Sequence, residues 1–378
     1  MNHLFETGPI RPPSEAYSIL LRITRNCPWN RCAFCSTYRD REFSRRTVEE
    51  VKADIDAMHA LALRIAEASE RMGLGGRISE EVISEARAED PTPDSYYRQV
   101  AFWMQYGMRT VFLQDANSLI MKTADLVEIL GHLKLRFPFI ERVTSYARAK
   151  TVSKKSPVEL GELRAAGLTR LHIGMESGCD TVLELIAKGV TADEQILAGR
   201  KAMEAGFDLS EYYMPGIGGQ EHSRGNALES ARILSAINPT FIRLRSTVPL
   251  PGTPLEDIMA SGSWTPLSED DKVREIRLFI ESLGDITSTV TSDHMMNPLE
   301  DVAGTMPSDR SNMLAIIDRY LGMSDDDRES FIIGRRLGLY RLVSDYGRDG
   351  QVEALKRDLK ARFGSVDTAV LELLKNYI

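Results

Sequence analysis

The sequence predicts an α/β fold in which six strand–helix repeats, from Tyr17 to about Ile258, precede a C-terminal helical extension. Short apolar runs rich in β-branched residues recur between turn signals, as buried parallel strands do. Each run is followed by a stretch with apolar residues at helical spacing. Polar residues and glycines concentrate directly after the runs, which is where an α/β fold builds its site. These observations predict both the fold class and the position of the chemistry.

Composition limits the classes of protein to which the chain can belong. Its 378 residues are 43% hydrophobic and carry a formal net charge of −8, which suits one large domain with an appendage. No basic run marks a surface that follows nucleic-acid phosphates. We find neither an export signal nor an apolar stretch that could span a bilayer, and we therefore expect a cytoplasmic protein.

The first repeat is the longest. Its strand is expected at 17–24, and a helix follows because Thr47 and Glu50 form a capping box before apolar residues at helical spacing. Residues 71–107 then make this repeat longer than an ordinary strand–helix unit. Their glycines, prolines and two helical stretches predict an insertion.

The later repeats follow the same pattern. Strands are expected to begin near positions 109, 141, 167, 208 and 241, with a further β-branched strand over 286–292. The helices expected after them cover 123–137, a stretch that opens at Gly178 and runs to Lys188, and about 224–237. Helices are also expected at 268–283 and through most of 308–378.

Three of the four cysteines, Cys27, Cys32 and Cys35, lie within nine residues directly after the first strand. Soft thiolate ligands favour zinc or iron–sulfur clusters, and a structural zinc site needs a fourth ligand. No fourth Cys or His is near in the sequence. A four-iron cluster held by three cysteines leaves one iron open to another molecule. The alternative is a zinc knuckle completed by a distant His or by Cys179.

This cysteine loop resembles the cluster loop of the radical S-adenosylmethionine (SAM) enzymes, with one residue more than usual between Cys27 and Cys32. The resemblance implies a [4Fe-4S] cluster whose open iron is chelated by SAM. Phe34 then occupies the position whose backbone lies near the SAM adenine. The resemblance also implies that the six repeats form a partial (β/α)6 TIM-like barrel.

The segment Gly174-Met-Glu176-Ser-Gly178 resembles the G-x-E-S-G segment of Elongator-type proteins, methylthiotransferases and oxygen-independent coproporphyrinogen dehydrogenase. The resemblance implies that Glu176 binds the SAM ribose and that Lys188 meets the SAM carboxylate. An acid at the start of a helix and a lysine near its end also complement the helix dipole.

Two further strand ends have counterparts in these families. Glu211 matches a ribose-binding acid, and the turn 215–219 matches a glycine-rich turn. The resemblance places the site of the SAM amino group just after the strand that ends at Leu113. The candidates there, by side chain or backbone, are Gln114, Asp115 and Asn117, and a helix cap without a ligand is the alternative.

Charged residues at other strand ends are less specific. Ser145 and Arg148 stand near the place where the family has a SAM-contacting side chain, although Arg148 also fits a surface cation. Alternation puts Arg243 and Arg245 on one face, where two guanidinium groups would hold a carboxylate or phosphate of a substrate. A solvated or helix-packed face is the alternative.

Asp293 and His294 follow the 286–292 strand, and we expect them to contact substrate or transfer a proton. We expect three regions: an arm over 1–13, the barrel over 14–292 with its insertion at 71–107, and a C-terminal helical region over 293–378. The last is expected to be a lid or an interaction module.

The resemblance implies a radical SAM enzyme. Reduced flavodoxin or ferredoxin would supply one electron, and SAM would be cleaved to methionine and a 5′-deoxyadenosyl radical that abstracts hydrogen from substrate. The acidic chain and the arginine pair favour a small anionic substrate. An RNA-modifying enzyme is the alternative, and a non-catalytic zinc or iron–sulfur interaction protein is the second alternative.

Overall fold

The structure is a computed structural model that describes residues 3–375. The described chain divides into two compact units, each built from separate segments of sequence. The first unit contains residues 3–28, 40–172 and 204–207. The second contains residues 29–39, 173–203 and 208–375. The cysteine loop therefore contributes Cys27 to the first unit and Cys32 and Cys35 to the second.

The first unit is built on parallel strands. In chain order its strands are β1 (Ile19–Arg22), β2 (Thr24–Arg25), β3 (Ser44–Arg45), β4 (Thr110–Gln114), β5 (Arg142–Ala147) and the first half of β6 (Arg170–Glu176). Strand β4 pairs in parallel with β1 on one side and with β5 on the other. Their apolar residues are buried because both faces of the strands are covered, as in other parallel sheets. Strands β2 and β3 form a separate antiparallel pair.

Six helices belong to the described part of the first unit. They are α1 (Val48–Arg71), α2 (Glu80–Arg87), α3 (Asp94–Gln105), α4 (Thr123–Arg136), α5 (Ala149–Lys154) and α6 (Pro157–Ala166). The predicted capping box is present, since the Thr47 side chain accepts from the Glu50 N–H while the Glu50 side chain accepts from the Thr47 N–H. The two helices predicted within 71–107 are α2 and α3.

Helix α3 also anchors the N-terminal arm. The buried ring of Phe5 lies edge-on to Tyr96, with centroids 4.9 Å apart, and 5.6 Å from the Trp103 ring. The His3 N–H donates to the Thr92 hydroxyl at 2.9 Å. The insertion therefore fixes the course of the arm, in addition to covering α1.

The strands of the second unit are the rest of β6, then β7 (Asp208–Tyr213), β8 (Phe241–Leu244), β9 (Thr289–Thr291) and β10 (Gly304–Thr305). Strands β7, β8 and β9 pair in parallel, and β10 closes this edge antiparallel to β9. Strand β10 was not predicted from the sequence. Its two residues are too few to produce a hydrophobic pattern.

The helices of the second unit are α7 (Asp180–Leu185), α8 (Ala192–Glu204), α9 (Gly219–Ile237), α10 (Pro254–Ala260), α11 (Glu269–Ser282), α12 (Arg310–Leu321), α13 (Asp325–Arg336), α14 (Gly350–Phe363) and α15 (Val366–Leu374). The final residue of α8 is counted with the first unit. The C-terminal region is helical, as predicted. No helix among residues 3–375 is long and apolar enough to cross a membrane.

The predicted fold class is confirmed, because β1, β4, β5, β6, β7 and β8 are each followed by helix in the order of a partial (β/α)6 TIM-like barrel. Three boundaries were wrong. The helix predicted to reach Lys188 ends at Leu185, because Ala187 and Gly189 have positive φ. Strand β8 ends at Leu244, short of the prolines that follow, and α9 begins at Gly219. The boundaries of arm, barrel and C-terminal region stay predictions.

Candidate functional site

The four cysteines are half-buried. Among the residues that the structure describes, no group of three or more His, Cys, Asp or Glu side chains is gathered as a metal ion would require. The fit to a cluster therefore rests on donor chemistry. Cys27, Cys32 and Cys35 offer three soft thiols on one short segment, which matches a cluster that keeps one iron open.

The segment with Cys32 and Cys35 is anchored to the loop that follows α7. The Ala33 N–H donates to the Ile186 carbonyl at 2.8 Å, and the Trp29 indole donates to the Ala187 carbonyl at 2.7 Å. Gly189 leaves room for the Trp29 ring, since a Cβ there would lie 2.2 Å from a ring carbon. Backbone and side-chain bonds thus fix the position of this segment.

Arg39 places a positive charge beside the two cysteines of the second unit. One guanidinium nitrogen lies 3.5 Å from the Cys32 carbonyl and 3.4 Å from the Cys35 carbonyl, as a long hydrogen bond to each. Net charge and hydrogen bonding around a cluster set its reduction potential. Sequence reasoning missed Arg39, and an arginine four residues after a cysteine carries no local signal.

Asp115 fixes the backbone that leads into the cysteine loop. Its Oδ2 accepts from Arg22 at 2.8 and 2.6 Å and from the Asn26 N–H at 3.1 Å. Asn26 precedes Cys27 and has a left-handed backbone, with φ of 65°. Two N–H groups of one guanidinium that donate to the same carboxylate oxygen form charge-assisted hydrogen bonds, which are stronger than neutral ones. Asp115 therefore positions the start of the loop.

Gln114 is occupied by the N-terminal arm. Its Oε1 accepts from the Gly8 N–H at 2.8 Å, and its Nε2 donates to the Ile10 carbonyl at 2.7 Å. Gly8 lies so close to Asp115 that a Cβ there would be 1.9 Å from Oδ1. The side chains of Gln114 and Asp115 thus bind other parts of the first unit, although Asp115 Oδ1 is buried without a partner among the described residues.

Asn117 and Ser145 also have partners within the first unit. The Asn117 side chain donates to the Thr151 hydroxyl at 2.8 Å and accepts from the Arg148 N–H at 3.1 Å. It makes no helix-capping bond, so the cap considered from sequence is not its role. The buried Ser145 hydroxyl donates to the Tyr146 carbonyl at 2.9 Å. Arg148 is half-buried.

Glu176 and Lys188 form a buried ion pair in the second unit. Lys188 Nζ donates to Glu176 Oε1 at 2.8 Å, and Nζ lies 5.8 Å from the centroid of the Phe34 ring. Glu176 has a φ of 64°, and Gly174 makes space for it, because a Cβ at that position would lie 2.2 Å from Oε1. The pair therefore lies beside the residue that precedes Cys35.

Glu211 is a buried carboxyl that forms no ion pair within residues 3–375. Its Oε2 is buried without a hydrogen-bond partner. Burial and the charge of Glu176 raise the pKa of Glu211 well above its usual value, and Lys188 offsets part of this rise. A buried polar atom with no partner is costly, and a ligand that donates a hydrogen bond would remove that cost.

The turn after β7 is organised by Glu275 of α11, which sequence reasoning missed. Its carboxylate accepts from the Gly216 N–H, the Tyr213 hydroxyl and the Asn226 amide at 2.9, 2.8 and 2.8 Å, and from the Ser223 hydroxyl at 2.5 Å. Burial raises the pKa of Glu275, and the four donors offset part of the rise. The glycine-rich turn is thereby held by a residue far along the chain.

The ends of β8 and β9 bring four predicted residues together. The buried Arg243 donates to the Ser210 hydroxyl at 3.0 Å and to Asp293 at 3.2 Å. Arg245 lies beyond the end of β8 and is exposed, so the expected pair of inward arginines is wrong for this residue. His294 is half-buried. Burial and the charge of Arg245 lower the pKa of His294 to about 4.

The remaining cysteine, Cys179, lies against apolar side chains. Cys179 packs against the hydrophobic cluster that contains Ala33, Ile186 and Trp264. Its Sγ would lie 3.5 Å from a Cβ at position 225. The structure thus brings together Phe34, Glu176, Lys188 and Glu211 as one group, and Arg243, Asp293 and His294, with Arg245 nearby, as another.

No protein-family model matches the chain. Two curated proteins are similar to part of it, the tRNA uridine(34) acetyltransferases of Methanocaldococcus jannaschii and Methanocaldococcus infernus. The first is 21% identical over 119 residues, which is 31% of this chain and 22% of that protein. The second is 21% identical over 122 residues, 32% of this chain and 23% of that protein. The chain thus matches under a quarter of the length of either relative.

Among solved structures, the chain is similar to OxsB, described as a cobalamin-dependent S-adenosylmethionine radical enzyme with aqua-cobalamin and S-adenosylmethionine bound. The TM-score is 0.48 at 15% sequence identity, over 96% of this chain and 58% of that chain.

Proposed function

We propose that this chain is a radical SAM enzyme. The observation that carries the proposal is the second-unit group in which the Glu176–Lys188 pair lies against Phe34 and Glu211 keeps a buried oxygen without a partner. An acid, a base and an unsatisfied carboxyl beside a cysteine segment suit a ligand with hydroxyl, carboxylate and amino groups. SAM has all three.

Each residue has a role in this proposal. Glu176 and Glu211 accept hydrogen bonds from the ribose hydroxyls, Lys188 binds the carboxylate, and the backbone at Phe34 contacts the adenine. Glu211 is suited to its role because a neutral carboxyl can both donate and accept. The backbone of Gln114, Asp115 and Asn117 remains a candidate for the amino group, and Ser145 and Arg148 remain candidate contacts.

Cys27, Cys32 and Cys35 would hold the [4Fe-4S] cluster. When bound, the cluster supplies one electron that cleaves SAM to methionine and a 5′-deoxyadenosyl radical, which takes a hydrogen atom from substrate. Reduced flavodoxin or ferredoxin is the proposed electron donor. The protein's own part is to orient SAM and to keep water from the reacting carbon.

A small substrate is preferred over RNA because the net charge of −8 opposes a polyanion. An anionic one is preferred because Arg243 lies in β8 and Arg245 just beyond its end. An RNA-modifying activity is the second candidate, because both curated relatives are named as tRNA uridine(34) acetyltransferases. Nucleoside analysis of tRNA incubated with enzyme, SAM and dithionite separates the two, since only the second candidate yields a new modified nucleoside.

The test of SAM cleavage is anaerobic reconstitution with iron and sulfide, followed by dithionite and SAM, with 5′-deoxyadenosine measured by chromatography. We expect 5′-deoxyadenosine from the wild type and none from Cys32→Ala. Cys179→Ala is the matched control, because Cys179 packs in the apolar core, and it should retain the cluster and the product.

Two outcomes would contradict the proposal. Bound zinc without iron would favour a zinc interaction protein. A loaded, reduced four-iron cluster whose spectrum SAM does not perturb, with no 5′-deoxyadenosine formed, would favour a non-catalytic iron–sulfur protein.

A further inference from the structure

Two arginines lie near the ends of β8 and β9, and among the described residues only one of them forms an ion pair. Arg243 is held by the Ser210 hydroxyl and by the carboxylate of Asp293. Arg245 is exposed, and no carboxylate of the described chain lies within ion-pair distance of its guanidinium. With His294 neutral, the group carries one net positive charge. That charge belongs to Arg245.

The two strand ends are joined by Asn297, which is fully buried. Its Oδ1 accepts from the Ser246 N–H at 2.8 Å and from the Ser246 hydroxyl at 3.1 Å, while its amide donates to the Leu244 carbonyl at 2.8 Å. These bonds bracket Arg245 on both sides. The position of Arg245 relative to the loop of His294 is therefore fixed by a buried residue.

Arg336 of α13 supports the same loop from its other side. Its guanidinium donates to the Met295 carbonyl at 2.7 Å and to the Met296 and Asn297 carbonyls at 3.1 and 3.3 Å, and it forms an ion pair with buried Glu269. The C-terminal region thus supports the loop that carries His294. This role is additional to the lid or interaction module that was expected from the sequence.

His294 presents one defined hydrogen-bond donor. Its Nδ1 accepts from the Met296 N–H at 3.3 Å, so the proton of the neutral ring lies on Nε2. The charged groups that act on this ring are Arg245, Arg336 and Asp293, of which the two arginines favour the neutral form. A neutral ring beside Arg245 adds a donor without adding a second charge.

We propose that the ends of β8 and β9 bind a carboxylate group of the substrate, with Arg245 as the charged ligand and His294 Nε2–H as the second donor. This inference rests on the proposed function, because the carboxylate is assigned to the substrate of that enzyme. The guanidinium fork of Arg245 matches a planar carboxylate. A phosphate dianion would need a second available cation, and Asp293 already occupies Arg243.

The test uses the full chain with its cluster reconstituted and oxidised, and with its histidines labelled with ¹³C at Cε1. The chain has only six histidines, and loss of one signal in His294→Gln assigns His294. Sodium propionate is the probe, and sodium phosphate and sodium chloride at equal ionic strength are the other arms. We expect propionate to shift the His294 signal saturably and chloride to leave it unchanged.

Arg245→Gln is the decisive variant, and its exposed position makes a folding defect unexpected. We expect its dissociation constant for propionate to rise at least tenfold. Arg274→Gln is the matched control, since Arg274 is an exposed arginine of α11 that pairs with Asp271, and it should bind propionate like the wild type. Equal propionate binding by Arg245→Gln and wild type would overturn the site. A tenfold tighter binding of phosphate would overturn the choice of carboxylate.

The SAM-cleavage assay on the same wild-type preparation separates the two proposals. Wild type that forms 5′-deoxyadenosine but shows no saturable shift with propionate overturns the carboxylate site and keeps the proposed function. Wild type that binds propionate through Arg245 but neither binds nor cleaves SAM overturns the proposed function and leaves an anion-binding site.

Discussion

Asp115 in the first unit and Glu211 in the second are both buried carboxyl groups at strand ends, yet their surroundings are opposite. Asp115 accepts two bonds from Arg22 and one from a backbone N–H. Glu211 has no such partner for its Oε2, and the charge of Glu176 acts against its ionisation. Each carboxyl keeps one buried oxygen without a partner, Oδ1 of Asp115 and Oε2 of Glu211. Within the described residues, only the charge of Asp115 is balanced by a guanidinium.

The difference teaches how to sort candidate residues that sequence alone treats alike. A buried carboxylate with a guanidinium partner is balanced in charge, and removing it leaves that partner's charge uncompensated. A buried carboxyl without a donor is incomplete until a ligand arrives. Asp115 is therefore a residue of the fold that positions the cysteine loop, whereas Glu211 is the stronger candidate for ligand contact.

The largest expected effect is that of Asp115→Asn. The substitution keeps shape but removes the charge that balances Arg22, so we expect the free energy of unfolding to fall by about 3 kcal/mol, at the low end for a buried pair because Glu6 also pairs with Arg22. Urea denaturation followed by tryptophan fluorescence measures it. In the matched exposed pair Arg109–Glu141, Glu141→Gln should cost less than about 1 kcal/mol. An equal loss of unfolding free energy in Asp115→Asn and Glu141→Gln would show that the buried pair is no more important than the exposed one.

The second prediction is that Glu211→Gln, unlike Asp115→Asn, gains stability relative to the wild type as pH rises. The pKa of Glu211 is raised well above 4.5, so the folded state keeps a proton that the unfolded state releases. Wild-type stability therefore falls as pH rises above about 4.5, by up to about 1.4 kcal/mol per pH unit, until the raised pKa is passed. The variant lacks this fall.

Urea denaturation of both proteins between about pH 5 and pH 8 measures this difference. We expect the variant to gain on the wild type as pH rises and to bind SAM about tenfold more weakly, since it loses a hydrogen bond to the ligand. A stability difference that does not change with pH would show that Glu211 has a partner when folded.

The smallest expected effect tests whether the Glu176–Lys188 pair contacts the ligand. In Gly174→Ala the new Cβ would meet Glu176 Oε1 at 2.2 Å and Lys188 Nζ at 3.1 Å, so the pair must move, and we expect about 1 kcal/mol of lost stability. SAM binding by equilibrium dialysis should weaken as well. Gly161→Ala in α6, where nothing lies within 4 Å of the new atom, should instead gain about 0.5 kcal/mol. Identical SAM affinity in the two variants would remove Glu176 and Lys188 from the site.

Local pattern was enough to predict the order of most strands and helices, and the family resemblance singled out the residues around Glu176. It failed where a boundary or a role depends on distant residues. Lys188 was placed on a helix because its neighbours continue the pattern, but Gly189 accommodates Trp29, which lies far back in the sequence. Arg245 was placed on a strand, but its N–H bonds to the Tyr213 carbonyl beyond the last strand pair.

Side-chain partners were the least predictable part of the site. Gln114 was chosen as a ligand candidate for its position after a strand, yet its amide holds an arm more than 100 residues away. Arg39, Asn297 and Arg336 act through backbone carbonyls and amides, which every residue has. No spacing or residue type in the sequence marks which carbonyl such a side chain will reach.

Glu275 has a consequence for attempts to recombine this protein with its relatives. Its single carboxylate binds the turn after β7, the tyrosine at the end of β7 and two residues of α9. A chimera that exchanged the glycine-rich turn alone would replace the Gly216 N–H donor, while Glu275 and its other three donors came from the original chain. Crossover points should therefore lie before β7 and after α11, so that 208–282 is inherited as one block.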